Sequence, residues 1–201
     1  VFPITWELRA ITSAADGRLI SGDLDLPGVA ALIPVTIAAA YCPQGGTSTR
    51  GPGGGASHKA FLSQERTLAA AGLELVDRCR NRGRILILGM DANAIASRLD
   101  TWSEHAQPRD ASCLSLWMAG GLLDTFRIHH PIYQVATYGA SRLDYVLSSA
   151  PHRLIPVAAA IHQGSLWPFD HHPVLADFCG GAPLPPRHLG PGRSDGGDSS
   201  G

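Results

Sequence analysis

Apolar positions fall into short blocks separated by Gly-, Pro- and Asp-rich punctuation, with one long block of helical spacing between them. Trp6 to Ile11 and Arg18 to Leu24 read as two strands, and Ala15-Asp16-Gly17 between them is a hairpin turn signal. Ala31 to Tyr41 is a third strand-like run that ends at Tyr41-Cys42-Pro43. Gly45 to Ser57 is a loop of Gly, Ser, Thr and Pro. It lacks the Gly-Lys-Ser/Thr ending of a phosphate-cradling loop. Ser57 is a candidate cap for a helix over 58–81, in which Phe61, Leu68, Gly72, Leu75, Val76 and Cys79 share one face. Gly83 ends that helix. Arg84 to Gly89 follows as a continuous apolar strand of the kind buried on both faces. Ala111 to Ala119 predicts a short helix stopped by Gly120-Gly121, and Leu122 to Phe126 leads into a variable stretch. Thr137 to Leu147, kinked at Gly139, then Leu154 to Ile161 and Val174 to Phe178, predict three closing strands. From Gly180 the chain is Gly, Pro, Ser and Asp, a composition that buries too little apolar surface to order itself.

Composition narrows the class. The 201 residues suit one domain with a full core over 1–179 and a disordered tail over 180–201. Net charge is −1, so charge by itself gives no support for a nucleic-acid partner. The basic residues are 15 Arg and one Lys, Lys59. Arginine suits bidentate phosphate contacts, but genome base composition gives the same bias and is the simpler reading. Cys42, Cys79, Cys113 and Cys179 form no CxxC motif and are expected as reduced, mostly buried thiols of an intracellular protein, the nucleus included. No apolar run reaches the ~20 residues of a membrane helix, so no membrane partner is expected.

Three polar clusters carry candidate chemistry. Asp91 and Asn93, in Gly-Met-Asp-Ala-Asn, follow the buried strand. In an extended segment positions i and i+2 point the same way, so a carboxylate and an amide could face one phosphate. The plain alternative is a turn in which both bond their own backbone. Asp170-His171 sets an imidazole beside a carboxylate, a pair able to act as base, acid or charge stabiliser near neutral pH. Asp144, in Ser-Arg-Leu-Asp-Tyr, is a charged residue in an apolar strand and needs a partner. Strand alternation puts Arg142 on its face. Tyr41 ends a strand, Asp124 reads as tying down a loop, and His129-His130 reads as surface.

Taken in order, Tyr-Cys-Pro, Gly-Met-Asp-Ala-Asn, Ser-Arg-Leu-Asp-Tyr and Asp-His-His-Pro resemble the endonuclease/exonuclease/phosphatase superfamily, which includes deoxyribonuclease I, abasic-site endonucleases and retrotransposon endonuclease domains. The resemblance implies an α/β (α+β) fold: a four-layer α/β sandwich of two packed mixed sheets with outer helices. It implies Mg²⁺- or Mn²⁺-dependent phosphodiester hydrolysis, with DNA as the leading substrate. Asp91 would orient the attacking water and Asn93 would bond the phosphate. Asp144 would pair with His171, His171 and Tyr41 would contact the phosphate, and Asp170 would lie at the metal. A weaker likeness to retroelement endonucleases implies a following reverse transcriptase domain.

The resemblance also implies a gap. Family members begin with a strand carrying Asn, a helix and a strand ending in Gln-Glu, whose Glu holds the metal. The only Asn residues here are Asn81 and Asn93, and Glu7 and Glu65 stand in the wrong elements. The first strand–helix–strand unit is therefore expected to be missing and hydrolysis impaired. A non-catalytic remnant or binding module is the alternative.

Overall fold

The structure, a computed structural model, describes residues 11–28, 32–44, 54–109, 112–149, 154–163 and 169–180. The expected strand positions 6–10 and the tail from 181 lie outside the described residues.

Three strands come first: β1 (Ile11–Ala14), β2 (Leu19–Leu26) and β3 (Ile33–Tyr41). Helix α1 (Gly54–Asn81) then leads to β4 (Ile85–Asp91). After a 3-10 turn at Arg98–Asp100 come α2 (Cys113–Ala119), β5 (Leu123–Asp124) and α3 (Thr125–His129). Strands β6 (Asp144–Ser148), β7 (Leu154–Ile161) and β8 (Val174–Gly180) close the described chain. Among the described residues six strands form one mixed sheet in the order β1-β2-β3-β4-β6-β5. Within it β3 and β4 are parallel and the other pairs antiparallel. A parallel pair needs a long crossover, and α1 supplies it.

Alternation along β3 and β4 sends side chains to two different layers. Ala38, Ala40, Leu86, Leu88 and Met90 meet Leu68, Leu75, Val76 and Cys79 of α1, with Leu114 and Trp117 of α2 and Tyr145 and Leu147 of β6. Here the helical stripe read from the sequence is the buried stripe from Leu68 to Cys79, while Phe61 at its start is only half-buried and lies under the Arg109 guanidinium. Val35, Ile85, Ile33 and Leu24 face the other way and pack with Leu154 and Phe178 of the β7–β8 sheet. That second sheet covers only part of the face, and Ile20 and Ile37 beside it stay 46% exposed.

The mixed α/β architecture with two sheets and helices matches the expectation, and several details differ. Among the described residues the second sheet is an antiparallel pair rather than a mixed sheet. Helix α1 begins at Gly54, so Ser57 lies inside it instead of capping it. The strand expected from Thr137 starts only at Asp144, because 137–141 folds into a tight turn bridged between Tyr138 and Ser141. The run Leu122 to Phe126 is divided between β5 and α3, and the stretch it leads into starts as helix to His129, because Asp124 caps α3 by accepting from the Phe126 and Arg127 amides. The four cysteines are free thiols, and only Cys179 is exposed.

Candidate active site

Strand register assembles the site. Tyr41 is paired with Asp91 across β3–β4, and Asp91 with Asp144 across β4–β6. The three residues therefore stand in one row at adjoining strand ends, on the face away from α1. His171, just before β8, completes the group: its Nδ1 lies 2.8 Å from Asp144 Oδ2. A carboxylate oxygen there can only accept from a ring N–H, so Nδ1 carries the proton and Nε2 is left for a substrate. Ligand atoms of Asp91, Asp144 and His171 all lie within 4.8 Å of one another.

The surrounding backbone holds this geometry. Thr137 is wholly buried, and its hydroxyl accepts from the amides of Leu143 (2.8 Å) and Asp144 (3.1 Å). Its carbonyl accepts from the His172 amide at 2.7 Å, so one residue buckles the Asp144 segment to the His171 segment. The Tyr138 ring stacks on the His171 ring, centroids 4.6 Å apart. Below, the buried Arg142 guanidinium bonds Asp100 and both oxygens of Asp124, and lies 4.2 Å from the Tyr145 ring centre. Arg127 adds a second cation on Asp100. Two acids and two guanidiniums balance, which is how charge survives burial.

Electrostatics follow from this crowding. Burial pushes the Asp91 carboxyl above its ordinary value. The nearby Asp144 charge adds to the rise, while the Asn93 amide and His171 oppose it. For His171 burial acts downward. The hydrogen bond and charge of Asp144, then the charges of Asp91 and Asp170, outweigh it, and the imidazole ends above its usual value.

The structure thus brings Tyr41, Asp91, Asp144 and His171 together. Asp170 is exposed beside them and acts on His171 by charge. Asn93 is placed otherwise than extended geometry implies. Its φ is +45°, its amide donates to Asp91 Oδ1 at 2.9 Å, and its Nδ2 donates to the Cys42 carbonyl at 2.9 Å. The turn alternative is therefore real, and it coexists with Asp91 facing the site. Arg142 does not share the face of Asp144: it precedes the strand and turns into the core. His129 and His130 are not free surface residues, since their Nε2 atoms bond the Pro156 and Ala159 carbonyls of β7. Asp124 does tie down its loop. Sequence reasoning missed Thr137, Tyr138 and Asp100. The Thr-Tyr pair preceding Ser-Arg-Leu-Asp-Tyr was the available signal for the first two.

For a divalent cation the donor set is suitable in kind. Asp91 Oδ1 is engaged by Asn93 and Asp144 Oδ2 by His171, leaving Asp91 Oδ2 and Asp144 Oδ1 without a hydrogen bond among the described residues. Hard carboxylate oxygens of this kind suit Mg²⁺ or Mn²⁺, which bind through one or two carboxylates plus substrate phosphate.

No protein-family model and no curated protein matches the sequence. Solved structures do. The 3′ phosphatase NExo from Neisseria, bound to a product DNA hairpin, is 20% identical with a TM-score of 0.64. An AP endonuclease from Archaeoglobus fulgidus is 18% identical with a TM-score of 0.66. Each match covers 86% of this chain and 72% of the other. An endonuclease/exonuclease/phosphatase from Beutenbergia cavernae is 19% identical with a TM-score of 0.54, over 81% of this chain and 39% of that one. The chain has the fold of these proteins, the deoxyribonuclease I-like fold that its motifs resemble.

Proposed function

We propose that this chain is a metal-dependent phosphodiester hydrolase acting on nucleic acid, DNA first of all. The observation that carries the reading is the His171–Asp144 hydrogen bond standing beside Asp91 in one row of strand ends. A histidine fixed in one tautomer by a carboxylate, with no hydrogen bond to its far nitrogen among the described residues, is equipped to hold or pass a proton at a reacting oxygen.

In this reading Asp91, held by the Asn93 amide, orients a water and takes its proton. Its raised carboxyl makes it a stronger base than an ordinary aspartate. The water oxygen bonds phosphorus as one ester P–O bond breaks, and the departing oxygen takes its proton from solvent; protonated His171 hydrogen-bonds a phosphoryl oxygen through Nε2 and offsets charge that grows in the transition state. Tyr41, half-exposed in the same row, offers its phenol to the same phosphate. The Asp144 oxygen that His171 does not engage, with Asp170 beside it, would hold Mg²⁺ or Mn²⁺. When bound, such a cation neutralises phosphoryl charge and acidifies water. With one carboxylate oxygen already committed to His171, cation affinity should be low and activity modest.

The sparse donor set also favours a second reading, a domain that binds DNA without cutting it. One experiment separates the two: cleavage of a labelled DNA strand followed against Mg²⁺ and Mn²⁺ up to millimolar levels. Hydrolysis that stops on chelation and falls by about 10²-fold or more in His171→Ala supports the enzyme. DNA binding with no hydrolysis in either cation supports the binding domain. Cleavage that survives both chelation and His171→Ala overturns the assignment.

A further inference from the structure

A cavity of about 300 Å³ opens between the end of α3 and β7. Its walls are Phe126, His130, Tyr133, Val135, Ile161 and Gln163. The volume is at the lower end of the range for small organic ligands. Three rings line it in succession: Phe126 and His130 lie 4.6 Å apart, and His130 and Tyr133 6.1 Å. Phe126 and Val135 are buried and make an apolar floor. Tyr133 is 60% exposed, a large aromatic surface left to water at the rim.

The polar groups are few and already oriented. His130 donates from Nε2 to the Ala159 carbonyl at 2.8 Å, which leaves Nδ1 to a ligand. Gln163 donates from Nε2 to the Ala136 carbonyl at 3.3 Å, which leaves Oε1 as an acceptor. The Tyr133 hydroxyl can donate or accept. Rings to stack on, joined by a few amide- and imidazole-type edges, are the means by which proteins hold unstacked bases.

The cavity is joined to the candidate active site through the backbone. The wall that includes Val135 runs on to Thr137, whose carbonyl accepts from the His172 amide. The other wall ends at Gln163, and the neighbouring His162 amide bonds the Pro173 carbonyl at 3.0 Å. Both walls are therefore hydrogen-bonded to the segment that carries His171.

We infer that this cavity receives one unstacked nucleobase from a strand whose phosphate lies at His171. The inference rests on the phosphodiester reading above and narrows its substrate class to single-stranded, looped or frayed nucleic acid. A fully paired duplex would have to give up a stacked base to fill the cavity.

The test is a binding measurement without hydrolysis. The full chain is titrated in EDTA with a short single-stranded oligonucleotide carrying 2-aminopurine, and with the same strand carrying an abasic spacer at each position in turn. A spacer at one position should weaken binding at least about fivefold. Tyr133→Ala should remove that difference, and Tyr133→Phe should keep it. Equal affinity for base and spacer at every position overturns the proposal, as does a base preference untouched by Tyr133→Ala. The two readings fail separately. Base-dependent binding in a chain that never hydrolyses DNA sinks the enzyme and leaves the cavity assignment standing. Hydrolysis that ignores the spacer sinks the cavity assignment alone.

Discussion

His171 takes its protonation state from the carboxylates around it. Asp144 contributes a hydrogen bond and a charge, and Asp91 and Asp170 contribute charge. The imidazole value is raised, so the extra stability that the charged ring draws from Asp144 is fully present below pH ~6.5 and is lost as pH rises through the raised value, while the Nδ1 hydrogen bond remains. Asp144→Asn should therefore lower the His171 midpoint in an NMR titration of the imidazole protons. An unchanged midpoint would mean that Asp144 does not govern the ring. The need of Asp144 for a partner was legible in the sequence, because a charged residue in an apolar strand demands one, and the family resemblance named His171 as that partner. The surroundings of Asn93 were legible only as the turn alternative, and those of Arg142 were not legible. The left-handed backbone at Asn93 breaks the extended alternation on which the spacing argument relied. Arg142 finds Asp100 some forty residues away, a pairing that no local pattern encodes.

At the scale of elements, the contact between α1 and α2 is the most constrained. A Cβ built on Gly72 would lie 2.1 Å from the Trp117 indole. That indole is fully buried and donates to the Ala69 carbonyl at 3.0 Å. Glycine ordinarily weakens a helix interior, but here its missing side chain is the space the ring occupies. Gly72→Ala, normally stabilising in a helix, should instead cost about 1–3 kcal/mol in urea denaturation. A neutral or stabilising result would show that α2 can shift away. The apolar stripe of α1 and the full extent of β7 were readable, because periodicity reports a single buried face. The start of β6 was not, because Thr137 catches the backbone by hydrogen bonds that a hydrophobicity pattern does not register.

For the whole molecule, the partly covered sheet face is the main liability. Ile20 and Ile37 lie on the same face of neighbouring strands, each 46% exposed, with open space above Gly89. Contiguous exposed apolar surface promotes association. The double variant Ile20→Thr/Ile37→Thr keeps β-branched side chains and should lower concentration-dependent light scattering. Scattering that does not change would place the adhesive surface elsewhere. The fold class itself was readable, because ordered motifs at strand ends identify an architecture even when no single motif does. The antiparallel character of the second sheet was not, because strand direction depends on how β7 and β8 are connected, through a segment without periodicity.

The row Tyr41–Asp91–Asp144, with His171 beside it, draws on four parts of the chain far apart in sequence. Nothing local can preassemble it. The parallel β3–β4 pairing must wait for the long α1 crossover to close, and such non-local contacts form slowly during folding. Helix and hairpin structure can appear while the row is still scattered. A partly folded chain would thus give a nearly native far-ultraviolet spectrum and have no competent site. Recovery of His171's perturbed titration would then be a late clock for refolding, ticking only after the last strand has docked.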